Sequence, residues 1–176
     1  MGQYYKPTNI SKKECIRTWS YNNGSKLMEH SYIGNEIMDI VERLLMPKGE
    51  WYKDKIVWAG DYADEETIGQ GNLYRLIEKE IKPVLKKADK KYHFIVNHTL
   101  KQYVDKDKIK QISKSDDFKI NPLSLLVCEG NGRGGGDFCE EGEDDRVGSW
   151  ARHSISVERE IPSGYKEIDG QFIEKR

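Results

Sequence analysis

The residues best suited to binding a phosphate lie in a glycine-rich segment that runs from Glu129 to Asp137 and reads Glu-Gly-Asn-Gly-Arg-Gly-Gly-Gly-Asp. Glycines let backbone N–H groups converge on an anion without obstruction by Cβ atoms, and the guanidinium of Arg133 adds a charged, forked donor. The segment lacks the Gly-Lys-Ser/Thr of a P-loop, and no helix is predicted after it to complete a dinucleotide fingerprint. The alternative is a flexible connection between strands. The predicted phosphate-binding residues are Gly132, Arg133, Gly134, Gly135 and Asp137.

A second candidate is the acidic turn after the apolar stretch Lys55 to Gly60, in which Asp61 and Asp64 flank Tyr62. Carboxylates at the end of a buried strand can accept hydrogen bonds from ribose hydroxyls or bind a hard cation. Aspartates also cap helices and close turns. The sequence therefore leaves ligand binding and turn formation as alternatives for Asp61 and Asp64.

Flat aromatic side chains suit stacking on a base, although aromatic residues more often build cores. Trp51 and Trp150 stand in polar, glycine-flanked segments, and we expect them to be the most exposed tryptophans. Trp150 and Tyr62 are therefore the candidates for stacking. Arg152, close to Trp150, is a second candidate for holding phosphate.

Cysteine and histidine spacing argues against several other kinds of site. Cys15, Cys128 and Cys139 suit neither a disulfide framework nor a paired C-x-x-C zinc site, so we expect reduced thiols. The histidines lack H-E-x-x-H spacing, and a helical metal site is not expected. The sequence therefore predicts no catalytic residue, no metal ligand and no cofactor.

Charge and length favour a single cytoplasmic domain. The 29 Lys and Arg residues balance 30 Asp and Glu residues, so no overall attraction to nucleic acid or to an anionic membrane is expected. No stretch approaches the roughly 20 apolar residues that span a bilayer, and Met1 to Lys6 lack the apolar run of a secretory signal. Residues 1–176 are expected to form one compact α+β domain.

Two principal helices and a mainly antiparallel sheet are predicted to position these residues. The first helix spans Asn35 to Met46, because its apolar residues recur with helical spacing and Asn35 can cap it. A second helix is predicted to begin near Asn72 and to be kinked or ended at Pro83. A hairpin is predicted at Asp169-Gly170. The predicted strands are Gln3–Ile10, Cys15–Trp19, Lys55–Gly60, Tyr92–Val96, Thr99–Val104, Leu123–Cys128 and Ser154–Ile161.

One spacing occurs twice in the chain. Gly49-x-Trp51-x4-Ile56 and Gly148-x-Trp150-x4-Ile155 each lead into a predicted strand. Similar local structure is expected at the two places, although the match is too short to identify a repeat.

Five blocks follow one another along the chain: Met1 to Lys6, Gly24 to His30, Gly60 to Asp64, Gly130 to Asp137 and Val147 to Ala151. Together they resemble a family of uncharacterised small proteins found in phage and bacterial genomes, and the resemblance covers nearly the whole chain. The family brings no established activity with it. A phage setting implies a counter-defence factor in the host cytoplasm, which occupies a host defence protein or sequesters a nucleotide-derived signal.

These observations favour a non-catalytic protein that binds a nucleotide-like, phosphate-containing small molecule, with a pocket at the interface of a homo-oligomer. Two alternatives stay open. The first is an inhibitor that docks on a host protein or nucleoprotein complex through the acidic segment Glu140 to Asp145. The second is a metal-dependent nucleotide hydrolase with a cation at Asp61 and Asp64.

Overall fold

Two mixed, mostly antiparallel sheets organise the computed structural model, which describes residues 3–112, 117–130, 138 and 146–174. The first sheet contains β1 Tyr5–Asn9, β2 Glu14–Cys15, β3 Ile56–Gly60 and β6 Cys128–Glu129 in the order β2-β1-β3-β6. The second contains β4 Phe94–Asn97, β5 Gln102–Asp105, β7 Ile155–Glu158 and β8 Lys166–Glu167 in the order β7-β4-β5-β8. The predicted α+β class with mainly antiparallel strands is confirmed.

Helix α2, Glu36–Leu45, is the longest of the four α-helices among the described residues. The side chain of Asn35 accepts a hydrogen bond of 2.8 Å from the backbone N–H of Ile37, so the predicted N-cap is present. The other three helices are α1 Leu27–His30, α3 Leu73–Leu76 and α4 Pro122–Leu126. No helix in the described part of the chain is long and apolar enough to cross a membrane.

The second predicted helix is wrong beyond its first turn, because α3 ends at Leu76. The carbonyl of Ile77 accepts a hydrogen bond of 2.7 Å from Nζ of Lys6 instead of one from the next helical turn. Backbone bonds of 2.8 and 2.9 Å then join the following residues to Cys15 of β2. Because Pro83 has no N–H to donate, nothing restores the helix further on.

The predicted strand Leu123–Cys128 is also wrong over most of its length, since α4 occupies Pro122–Leu126. The side chain of Asn121 accepts a hydrogen bond of 3.0 Å from the N–H of Leu123, and proline is well suited to the first helical position that follows such a cap. A short apolar run does not by itself distinguish a strand from a buried helix. Only Cys128 and the residue after it form a strand.

The hairpin predicted at Asp169-Gly170 is absent from the described residues. Strand β8 pairs in parallel with β5, Gln102 lying opposite Lys166. The guanidinium of Arg146 donates to the backbone carbonyls of Asp169 and Gln171, and the carboxylate of Asp169 accepts a hydrogen bond of 2.9 Å from the N–H of Gln171. These contacts hold the segment without hairpin pairing.

The chain contains an internal structural repeat. In one half β1 pairs with β2 and β3, and in the other half β4 pairs with β5 and β7 in the same registers. Asn9 lies opposite Glu14 and Ile56 in the first half. Asn97 lies opposite Gln102 and Ile155 in the second.

Side chains at the two hairpins repeat as well. The Oδ1 atoms of Asn9 and Asn97 each accept a hydrogen bond of 2.9 Å from the backbone N–H three residues later. Lys13 and Lys101, four residues after each asparagine, share a left-handed backbone with φ of 55° and 52°. This agreement indicates that the same hairpin structure occurs twice in the chain. The Gly-x-Trp spacing alone did not establish such a repeat.

The two Gly-x-Trp segments bind one another reciprocally. The N–H of Lys53 donates to the carbonyl of Ile155 at 3.1 Å, and the N–H of Arg152 donates to the carbonyl of Ile56 at 2.8 Å. Lys53 and Arg152 again share a left-handed backbone, with φ of 61° and 68°. The predicted similarity of the two segments is thus present, and their exchange of bonds relates the halves by an approximate twofold axis.

The halves differ most in how a helix is connected to its Gly-x-Trp segment. After α2, Met46 to Lys48 lead directly to Gly49. After α4, residues 127–147 lead to Gly148, and they include the glycine-rich segment and the acidic run. The first half therefore forms with a short connection, and the longer connection of the second half also supplies β6 and the buried Val127 and Cys128.

Candidate functional site

A cavity of about 830 Å³, the main cavity, lies at the ends of β3 and β6. Its volume falls within the roughly 300–1,000 Å³ of small-molecule sites. One wall is apolar and includes Leu27, Val147 and Phe138. The polar wall is formed by Tyr62, Asp64, Glu65, Glu66, Glu129 and Arg152.

Three of the predicted site residues, Tyr62, Asp64 and Arg152, line this one cavity. Gly130, the second residue of the glycine-rich segment, and Phe138, the residue that follows the segment, line it too. Tyr62 is 49% exposed, so its ring is accessible to a ligand. The remaining predicted phosphate-binding residues, Gly132, Arg133, Gly134, Gly135 and Asp137, lie outside the described residues, as does the acidic segment Glu140 to Asp145.

Asp61 is directed away from the main cavity. Its carboxylate accepts a hydrogen bond of 2.9 Å from the backbone N–H of Tyr4, and it lines a separate cavity of about 210 Å³ with Asn72 and Arg75. Of the two roles that the sequence leaves open, Asp61 therefore has the turn-forming one, whereas Asp64 lines the main cavity.

The expected exposure of Trp51 and Trp150 is wrong, because both indoles are fully buried. Nε1 of Trp51 donates to Glu14 at 2.7 Å, and Nε1 of Trp150 donates to Gln102 at 3.1 Å. The buried Glu14 and the half-buried Gln102, each on the neighbouring hairpin, satisfy the two indoles, so the glycine two residues before each tryptophan serves the turn and not exposure. Tyr62 remains as the exposed ring of the predicted stacking pair.

Arg152 is held by two carboxylates on the polar wall. Its Nε and Nη2 donate to Glu129 at 2.6 and 2.8 Å, a side-on pair with two parallel bonds. Its Nη1 donates to Glu66 at 2.9 Å, and Nη2 also reaches this carboxylate. These bonds, to Glu129 first and Glu66 second, raise the pKa of Arg152 above its ordinary value. The hydrogen bond from Arg152 in turn lowers the pKa of Glu66.

The described wall is acidic, since four carboxylates face a single guanidinium there. A free phosphate would meet repulsion unless it replaced one of the carboxylates at Arg152. Glu129 belongs to β6, which pairs with β3, while Glu66 lies in the turn region after β3. Glu66 is therefore the partner that a ligand can displace with less disturbance of the sheet.

Gly148 shapes the floor of the cavity. Its φ is +76°, and a Cβ atom there would lie 2.7 Å from the carbonyl oxygen of Cys128. Any side chain would therefore force the chain away from β6. The sequence singles out Gly148 in the Gly-x-Trp spacing and in the block Val147 to Ala151. In the structure Gly148 follows directly after the long connection of residues 127–147.

Sequence reasoning missed Glu66 and Glu129 as functional residues. Glu129 opens the glycine-rich segment and Glu66 lies two residues after Asp64, so each stands beside a predicted site. Only the fold brings these two carboxylates to the same guanidinium.

Comparison with models of known protein families, with curated proteins and with solved structures finds no match to this chain. The resemblance to phage and bacterial proteins stays a prediction.

Proposed function

We propose that this protein binds a nucleotide-like, phosphate-bearing small molecule in the main cavity and retains it unchanged. One observation carries the proposal: Tyr62 and Asp64 from the turn after β3 and Arg152 from a distant stretch of the chain line a single cavity that Gly130 and Phe138 also line. These are the residue types that stack on a base, accept from sugar hydroxyls and hold phosphate.

The internal repeat supports a functional role for this end of the molecule. The first half connects α2 to Gly49 through Met46 to Lys48 only, so the repeated scaffold forms there without a connection as long as residues 127–147. Insertions on a repeated scaffold are places where binding residues accumulate. The glycine-rich segment with Arg133 lies in this insertion.

In the proposed complex, Tyr62 stacks on the base and Asp64 accepts hydrogen bonds from sugar hydroxyls. The phosphate takes the place of Glu66 at Arg152, whose guanidinium keeps its two bonds to Glu129. Backbone N–H groups of Gly132 to Gly136 and the side chain of Arg133 complete the phosphate site.

The alternative of a metal-dependent hydrolase receives less support from the geometry. Asp61 and Asp64 line different cavities. The carboxylates of the main cavity do not form a group of three within reach of one ion, as far as the described residues go. Retention without turnover is therefore the proposed mode, and in a phage it would act by sequestering a nucleotide-derived signal.

The proposal is tested by identifying what the natively purified protein carries. Heat releases the bound molecule, and mass spectrometry of the released fraction is expected to find an intact phosphate-bearing compound at a stoichiometric amount. Calorimetry with purine mono-, di- and cyclic dinucleotides, each compared with its nucleoside, then measures the contribution of the phosphate. Equal binding of nucleosides and nucleotides would remove phosphate recognition from the proposal, and steady turnover would replace binding by hydrolysis.

A further inference from the structure

A cluster of three potential metal ligands lies on the second sheet, apart from the main cavity. His93 immediately precedes β4, Asp105 ends β5, and Asp107 stands in the 3-10 turn Lys106–Lys108. Nδ1 of His93 is 2.7 Å from Oδ1 of Asp105 and 3.4 Å from Oδ2 of Asp107. One ligand atom of each residue lies within 4.8 Å of the other two.

We propose that His93, Asp105 and Asp107 bind one divalent transition-metal ion such as Zn²⁺. Zinc binds imidazole nitrogen and carboxylate oxygen at about 2.0–2.2 Å, which places neighbouring ligand atoms roughly 3.0–3.5 Å apart. The two separations from Nδ1 of His93 need to change by only a few tenths of an ångström. The side chain of Asp107 is 69% exposed, so water can complete the coordination shell.

The charges around the cluster favour a cation. Lys106 and Lys108 flank Asp107 in the sequence, but their ammonium groups bond Glu42 and Glu167. The two aspartates therefore lie against the imidazole of His93 while both neighbouring lysines are engaged by other carboxylates. A divalent ion would neutralise both aspartates at once.

The internal repeat carries different residues at the positions of these three ligands. Counting along the shared register, the first half carries Tyr5, Arg17 and Trp19 at the positions of His93, Asp105 and Asp107. There the guanidinium of Arg17 lies 5.2 Å from the ring of Trp19. Strand β2 ends at Cys15, before these positions, and a cation–π contact stands there in place of two carboxylates and an imidazole. The three ligands therefore belong to the second half alone.

Calorimetric titration of the full chain with Zn²⁺ alone tests the site. One ion per chain is expected for the wild type and for Asp117→Asn, a control that removes an exposed carboxylate elsewhere. His93→Gln and Asp107→Asn are expected to weaken binding about tenfold or more, because loss even of a group that orients a ligand costs 10–100-fold. Long-range nitrogen–proton spectra should show the imidazole proton on Nε2 once the metal occupies Nδ1.

Three results would overturn the proposal: no stoichiometric Zn²⁺ binding by the wild type, equal affinity in all four proteins, or an imidazole tautomer that the metal leaves unchanged. Each would leave an ordinary hydrogen bond between His93 and Asp105. Thermal unfolding of each variant without metal verifies that it is folded. Because the cluster is on the other sheet, His93→Gln should not alter nucleotide binding, so failure here is separable from failure of the main cavity.

Discussion

Arg152 and Glu129 meet through two parallel hydrogen bonds of 2.6 and 2.8 Å on the wall of the main cavity. The pair fixes the orientation of the guanidinium while a second carboxylate, Glu66, occupies its remaining face. A ligand phosphate must therefore compete with Glu66 before it reaches Arg152. Substitution of Glu66 therefore tests the proposal directly.

Removal of the competing charge should strengthen phosphate binding. Glu66→Gln is expected to increase the affinity for a nucleotide by about tenfold, since charge-assisted bonds are worth roughly 1.5–3 kcal/mol and part of that is recovered. Glu65→Gln is the matched control, because Glu65 also lines the cavity but accepts its hydrogen bond from the N–H of Gly69. Calorimetry that shows equal gains for both variants would indicate general electrostatics and not competition at Arg152.

Loss of the arginine in the glycine-rich segment should weaken the same binding. Arg133→Ala is expected to cost on the order of 1.5–3 kcal/mol of binding free energy with nucleotides and little with nucleosides. Arg159→Ala removes an arginine that lies over the ring of Tyr92 and serves as the control. Unchanged nucleotide affinity of Arg133→Ala would exclude that residue from the site.

Acid should destabilise the fold through His30. Its Nε2 accepts a hydrogen bond of 2.8 Å from the indole of Trp58. Burial lowers the pKa of His30 from 6.5 to about 4, against weaker opposite effects of the hydrogen bond to the Gly24 carbonyl and of the charge of Glu29. Between these two values the unfolded chain binds the additional proton, so stability falls as the pH falls. The contribution of His30 should decrease by about 2 kcal/mol between pH 7 and pH 5.

Urea unfolding at both pH values measures this effect. The difference in the free energy of unfolding should be smaller for His30→Asn than for the wild type, even though the variant is less stable at pH 7. If the two proteins lose the same free energy, the acid sensitivity arises at other groups.

The repeat allows a matched pair of core substitutions. Trp51→Phe leaves the carboxylate of Glu14 without its indole donor, whereas Trp150→Phe leaves only the amide of Gln102. A buried acceptor without its donor costs about 1–3 kcal/mol, and more when it is charged. Trp51→Phe should therefore lower the free energy of unfolding more than Trp150→Phe does. Glu14→Gln should reduce the difference between the two variants. Denaturant midpoints that rank the two tryptophan variants in the reverse order would refute this prediction.

Local patterns predicted those elements whose stabilising contacts are local. Helix α2 is an example, because its cap at Asn35 and its apolar spacing lie within one stretch of sequence. The segment after Leu76 has equally helical spacing, but its carbonyl at Ile77 bonds Lys6, far away in the sequence. A hydrogen bond between residues so far apart in the sequence leaves no pattern in the neighbouring residues that would predict it.

In the candidate site, too, only the residues with a local sequence signal were predicted. Tyr62, Asp64 and Arg152 were predicted from residue type and neighbourhood, and the fold brings them to one cavity. Glu66 and Glu129 were missed because their role depends on a shared guanidinium that only tertiary structure supplies. Trp150 was misjudged because the glycine-flanked sequence suggests exposure, while its indole partner lies on β5.

The most direct test of the central claim is calorimetry after the main cavity has been filled. Val147→Trp places a large ring on its apolar wall, while Ile68→Trp places the same ring at a position that is 96% exposed and outside that wall. We predict that the wild type and Ile68→Trp bind the same nucleotide with equal affinity, whereas folded Val147→Trp loses measurable binding. Two results would contradict the account: undiminished nucleotide affinity of Val147→Trp, or no nucleotide binding by any of the three proteins.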